Sequence, residues 1–180
     1  MRHNRSRHLT MSAALALTLA LLPLPAAIAQ ERGDDSRRAS KNGRAEGTIG
    51  DASVVVTYGR PKVKGRQVWG ALVPYGAVWR AGADEANTVT FSTDVEVEGN
   101  AVPAGTYSLF FLPTEDEWTV ILNKVANQWG AFRYDEGQDQ MRAKVEPEAA
   151  DHVEELTIEV TSDGLLFRWE ELAVPVRIDA

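Results

Sequence analysis

The sequence predicts an all-β domain, an antiparallel β-sandwich of about nine or ten strands in a jelly-roll-like or flattened-barrel arrangement, with little helix. Three observations carry this. From Ala52 onward, apolar and polar residues alternate with period two through most of the chain. Gly and Pro separate these runs at short intervals, and no stretch longer than about two turns shows the periodicity of an amphipathic helix.

Residues 1–29 stand apart from the fold. Arg2, Arg5 and Arg7 form a basic start, Leu9 to Leu24 an apolar run ending among prolines, and Ala27-Ile28-Ala29 a small-x-small cleavage site, the three parts of a secretory signal peptide. The expectation is export to the periplasm or the exterior, with cleavage near Ala29 and no membrane span afterwards, because the apolar run is shorter than the ~20 residues a span needs. No Cys follows it to take a lipid anchor. Residues 30–48 are largely charged and lack any large apolar side chain, and they read as a disordered leader. A single β domain is expected over 49–180.

Within that domain, Val54, Val56 and Tyr58 alternate with Val55 and Thr57. Val89 and Phe91, then Val95 and Val97, repeat the pattern. Pro103-Ala104-Gly105 leads into TYSLFFLP, apolar on both sides, which predicts a central strand buried on both faces. Trp118, Val120 and Leu122 form the next strand, in a hairpin with it, and Gln140 to Val145 one more. Three strands close the chain, around Leu156-Ile158-Val160, Leu165-Phe167-Trp169 and Val174-Val176-Ile178. Pro175 cannot donate to a ladder, so the last of these belongs at an edge or a bulge.

Val68 to Asn87 is the stretch with the most chemistry. It repeats a Val-Trp-x-Ala tetrad at Val68 and Val78 around Pro-Tyr-Gly, which reads as strand, turn, strand. After Trp79 come Arg80, Asp84, Glu85 and Asn87. One reading is a polar ligand site floored by Trp79; the other has Arg80 paired with Asp84 or Glu85 merely to fix the loop. Asn123, Lys124, Trp129 and Tyr134 join the candidate ligand-binding set from a second polar loop, in which Trp129 is the tryptophan placed for exposure. Arg60, Lys64 and Arg66, with Lys62 beside them, form a basic cluster able to clamp an anion, although the same residues suit ordinary turns.

Composition removes several classes of function. There is no cysteine, hence no disulfide, thiolate nucleophile or zinc thiolate site. Of three histidines, His3 and His8 leave with the signal, so a Ser-His mechanism would depend on His152 alone. Loss of the signal leaves 16 basic residues against the same 26 acidic ones, a net charge of −10, which disfavours nucleic acid as a partner. No catalytic residue, cofactor or metal site is assigned, since Asp34-Asp35 and Asp135-Glu136 with Asp139 lack calcium-loop spacing.

Gly59-Arg60-Pro61, Lys64-Gly65-Arg66, Leu72-Val73-Pro74-Tyr75-Gly76, Val78-Trp79-Arg80-x-Gly82-Ala83, Pro103-Ala104-Gly105-x-Tyr107-x-Leu109-Phe110 and Asn127-Gln128-Trp129-Gly130 occur together, followed by Arg168-Trp169-Glu170 and Val174-Pro175-Val176. In this combination the chain resembles the DUF2911 family of exported bacterial proteins over about residues 50 to 178. The resemblance implies secretion and one β-rich domain, and it carries over no catalytic residue. Where such families usually have Gly-Ala-Asn-Glu-Ala, this chain has Gly82-Ala83-Asp84-Glu85-Ala86. The functional expectation is binding of a small polar or saccharide ligand without turnover. The alternatives are a glycosidase-like hydrolase using Asp84 and Glu85, and a structural envelope protein; oligomeric state is not legible.

Overall fold

The computed structural model describes residues 32–180, so the signal-peptide expectation and residues 30 and 31 lie outside the described part. Ten strands are found there: β1 (Lys41–Ile49), β2 (Ala52–Arg60), β3 (Asn87–Phe91), β4 (Val95–Val97), β5 (Asn100–Val102), β6 (Gly105–Pro113), β7 (Trp118–Asn123), β8 (Asp139–Val145), β9 (Glu148–Thr161) and β10 (Gly164–Asp179). The only helical element among the described residues is the 3₁₀ turn Glu136–Gln138. The strands form two antiparallel sheets, of order β1-β2-β3-β6-β7-β8 and β5-β4-β10-β9. This is the predicted all-β sandwich. No helix among the described residues is long and apolar enough to cross a membrane.

The core lies between the sheets and follows from the alternation. Val54, Val56 and Tyr58 of β2, Val89 and Phe91 of β3, and Tyr107, Leu109 and Phe111 of β6 meet Leu156 and Ile158 of β9 and Leu165, Phe167 and Trp169 of β10. β6 is buried on both faces, as its composition requires. Its outer face places Phe110 in a second cluster with Ile121 and Ala86, covered by Ala131 and Tyr134 of the loop between β7 and β8. Four tryptophans concentrate at one end of the core. Trp79 stacks on Trp169 at 5.8 Å, and Trp69 meets the edges of Trp79, Trp118 and Trp169 at 4.8 to 5.9 Å.

Three sequence expectations need correction. The leader 30–48 is not wholly outside the fold, because Lys41 to Ile49 pair with β2 in unbroken register from Lys41↔Arg60 to Ile49↔Ala52. Its inner face carries Gly43, Ala45 and Gly47, and the apolar volume is supplied by the neighbours: a Cβ on Gly43 would stand 2.5 Å from the Tyr58 ring, and one on Gly47 2.9 Å from Val160. A search for large apolar side chains misses a strand built to receive them.

The Val-Trp tetrads do not form strands either. Gly70 and Gly76 adopt left-handed φ of 77° and 73°, which breaks the run into turns, and each Trp is anchored separately, by single bridges from Trp69 to Val73 and from Trp79 to Phe111. The third correction concerns the C-terminus, where the last two expected strands are one, β10. Glu170, at φ 57°, sits in a bulge with register shifts on both sides, and bulges bend strands. The Ile178 N–H then returns to the Asp163 carbonyl at 2.9 Å. Pro175 falls after the last β9 partner, Ala173, and before the first β4 partner, Ile178, where no ladder bond is demanded of it.

Candidate functional site

β3 pairs with β6 up to Asn87↔Leu109, and regular antiparallel pairing would next place residue 85 opposite Phe111. Trp79 occupies that rung instead, giving its N–H to the Phe111 carbonyl at 2.7 Å and accepting the return bond at 2.9 Å. Residues 80–86 are therefore looped out between two consecutive rungs. This excursion carries Arg80, Asp84 and Glu85, and it holds Ala81 and Asp84 at φ 56° and 63°, unfavourable for side-chain-bearing residues.

The surrounding chain fixes the excursion in place. Asn87, fully buried, donates to the Ala81 carbonyl at 2.6 Å and accepts from the Gly59 N–H at 3.1 Å. A Cβ on Gly59 would lie 2.2 Å from the Ala83 carbonyl oxygen, so glycine is what lets the loop approach β2. Arg32 spreads its guanidinium over the carbonyls of Ala83, at 2.6 Å, and Glu85, at 3.1 Å. On the far side, Ala86 and Asp84 exchange backbone bonds with Gln128 and Gly130.

Glu85 is the electrostatic centre of this anchoring. Arg38 grips its carboxylate with two bonds, of 2.5 and 2.7 Å, and Arg32 approaches at 3.2 Å. The Arg38 bonds hold the Glu85 carboxyl below the ordinary carboxylate range, against the opposing effect of its burial. Asp84 is 3.9 Å from Arg38. Arg80, by contrast, forms no ion pair with any described residue, and its Nε is buried without an acceptor. The expected Arg80 pairing with Asp84 or Glu85 is therefore wrong: arginines from the charged stretch before β1 take that role. Burial lowers the Arg80 pKa, with Asp84 partly offsetting the effect.

Beside the excursion lies a cavity of about 290 Å³. Trp79, Trp169, Leu72 and Val73 give it an apolar wall, and Lys62, Lys64, Arg66, Arg80, Asp84 and Ser40 give it polar groups. The structure thus unites two motifs that the sequence kept apart, the Trp79-Arg80-Asp84 constellation and the basic turn after β2. Arg60 is excluded from the union, because it bridges to Glu155 at 3.1 Å and ties β2 to β9.

The remaining candidates are elsewhere. Asn123 is fully buried and structural, donating to the Asp135 carbonyl and to Asp139, which also accepts the Tyr134 hydroxyl at 2.6 Å. Burial, reinforced by that bond, raises the Tyr134 pKa. Lys124 is on the surface, and Trp129, 56% exposed, lies near Phe132, which is 85% exposed. Sequence reasoning overlooked Arg32 and Arg38; the one hint was that the Asp84-Glu85 pair needed counter-ions and the charged stretch had them. For a metal, His152, Glu170 and Glu171 bring ligand atoms within 4.8 Å of one another, but the Trp69 indole and the Glu171 N–H already occupy a Glu170 oxygen.

The family described as "Protein of unknown function (DUF2911)" matches residues 40–178. The chain belongs to the DUF2911 family. The match begins at Ser40, within one residue of β1, so the family domain includes the small-residue strand and the whole cavity wall from Ser40 onward. No curated protein and no solved structure matches the chain.

Proposed function

We propose that this DUF2911 protein is exported and binds a small polar or saccharide-like ligand in the Trp79–Arg80 cavity without turning it over. The observation that carries the reading is the cavity itself. An aromatic wall faced by a few convergent polar groups is the usual make-up of a small-molecule site, and about 290 Å³ is near the lower end of the ~300–1,000 Å³ such sites span. Its position also supports binding, since the excursion is held from three directions in a strained backbone that the sandwich alone does not need.

The hydrolase alternative asks two carboxylates to share acid and base work. Glu85 is occupied by Arg38 and Arg32 and held ionised, which suits an anchor rather than a proton donor, and of the two only Asp84 lines the cavity. Export rests on the signal-like residues 1–29.

The test is a thermal-shift screen of the purified protein against monosaccharides, sugar acids and small metabolites, read together with tryptophan fluorescence, because Trp79 and Trp169 line the cavity. A saturable shift with a fluorescence change is expected. Hydrolysis of a glycoside or ester panel that disappears in a folded Glu85→Gln variant would replace binding with catalysis, whereas neither shift nor turnover would leave the structural envelope reading.

A further inference from the structure

We propose that the ligand of this cavity carries an oxyanion, a carboxylate or a phosphate, which Arg80 receives together with Lys62, Lys64 and Arg66; the inference rests on the cavity being the binding site. The charge of the lining carries it first. Four basic residues and one acidic residue border the cavity, in a chain with 19 basic and 26 acidic residues. None of these four cations forms an ion pair with a described residue. Arg66 donates to the Val63 carbonyl at 2.9 Å and to the Lys62 carbonyl, which orients its guanidinium but leaves its charge uncompensated.

Two of the acids near the cavity, by contrast, are ion-paired to arginines outside it. Glu85 is held by Arg38 and Arg32, and Glu155 by Arg60. Glu154 accepts the Lys64 backbone N–H at 3.0 Å and faces His152 at 3.6 Å, and Glu170 accepts the Trp69 indole. Asp84 is the one acid among the lining residues, and it lies 3.9 Å from Arg38 as well. The lining of this one small concave surface is thus mainly cationic in an otherwise acidic protein.

A second observation is independent of charge. Two buried N–H donors, Arg80 Nε and Trp169 Nε1, have no acceptor among the described residues, and both belong to side chains that line the cavity. Buried donors are satisfied in most proteins, and leaving one unmet is costly. An oxyanion has more acceptor lone pairs than the two of a hydroxyl, and its bonds to a guanidinium are charge-assisted, roughly twice as strong as neutral ones. The volume limits the ligand to a single ring or a short acid; Trp79 and Trp169 would lie along its apolar side.

The experiment is calorimetric titration of the purified protein with glucose 6-phosphate, glucuronate, inorganic phosphate and glucose, at low and raised salt. Glucose 6-phosphate or glucuronate is expected to bind at least about tenfold more tightly than glucose, more weakly as salt rises, and the better of the two tells phosphate from carboxylate. Inorganic phosphate binding alone would give the anion subsite without the ring. Arg80→Gln should weaken the charged probes by about ten- to a hundredfold, the range for one charge-assisted hydrogen bond. Should Arg80→Gln not fold, as judged by near-ultraviolet circular dichroism, the Lys62→Ala/Arg66→Ala double variant decides, with an expected loss of about tenfold. Glucose binding as tightly as the charged probes would overturn the oxyanion while leaving the polar-ligand reading intact. Charged probes that bind both variants as they bind the parent would place their site elsewhere and overturn it too. No binding by any of the four at millimolar concentration, after an empty screen, would remove both.

Discussion

Two groups of cations converge on the 80–86 excursion and meet opposite fates. Arg32 and Arg38 both end on Glu85, and Arg32 on the loop carbonyls as well, so each of their guanidinium nitrogens has a partner. Arg80, Lys62, Lys64 and Arg66 border the cavity and end on no carboxylate of the described chain. The first group is bonded as scaffold. The second retains charge that the fold does not neutralise, and charge left over in this way is what a ligand can use. The difference separates structural arginines from functional ones more clearly than sequence position does, since Arg80 lies closer in the chain to Asp84 and Glu85 than either arginine that holds them.

The largest effect that would break this comparison is at Glu85. Glu85→Ala leaves the Arg32 guanidinium buried without its partner and should lower unfolding free energy by about 3–5 kcal/mol, read as a shift in the urea midpoint. A change below about 1 kcal/mol would mean that the anchoring is not structural. Next in size, Gly59→Ala forces a Cβ against the Ala83 carbonyl and should destabilise by about 1–3 kcal/mol, the range for overpacking. Because it displaces the excursion, it should also weaken whatever the cavity binds.

Acid sharpens the comparison from the other side. The folded Glu85 carboxyl titrates below its ordinary value of 4.5, so the unfolded chain binds more protons between the two values. The stability that Glu85 contributes is complete above about pH 4.5 and declines as the pH falls through its folded value. Thermal midpoints measured downward from neutrality should therefore fall more steeply in the parent than in Glu85→Gln, and parallel curves would contradict the pairing. The smallest effect belongs to Arg80. Replacing it with Met keeps much of the packed stem and removes a desolvated charge, so stability should stay within about 1 kcal/mol of the parent. A loss of about 3 kcal/mol or more would return Arg80 to the scaffold.

Much of the fold was legible because most strands outside the centre of the larger sheet have one wet face and one dry face, and alternation records that directly. Val54-Val56-Tyr58, Trp118-Val120-Leu122 and Leu156-Ile158 fall where the pattern places them, and the doubly apolar Tyr107 to Leu112 run marks a strand covered on both sides. β1 escaped because its inner face is Gly43, Ala45 and Gly47, residues that make room for Tyr58 on the neighbouring strand and Val160 of the facing sheet. The strand reading at Val68 to Asn87 failed for the converse reason. Its tryptophans are apolar enough for strands, yet the chain between them turns at Gly70 and Gly76, so each indole enters the shared aromatic cluster from a loop. Of the candidate site, Trp79, Arg80, Asp84, Lys64 and Arg66 share one cavity, while Asn87 and Asn123 are buried ties and Tyr134 a half-buried one.

The sequence by itself determined the fold class, the buried central strand, the absence of disulfides and the residue types available for chemistry, because each depends on local pattern or composition alone. Which charges neutralise one another was decided only in the tertiary structure. Arg32 and Glu85 are 53 residues apart, and the basic turn at Lys62 to Arg66 reaches the excursion through the packing of β2 and β9, not through the chain. Coulombic and hydrogen-bond partners are set by distances of a few ångströms across folded space, and no spacing along the sequence encodes them.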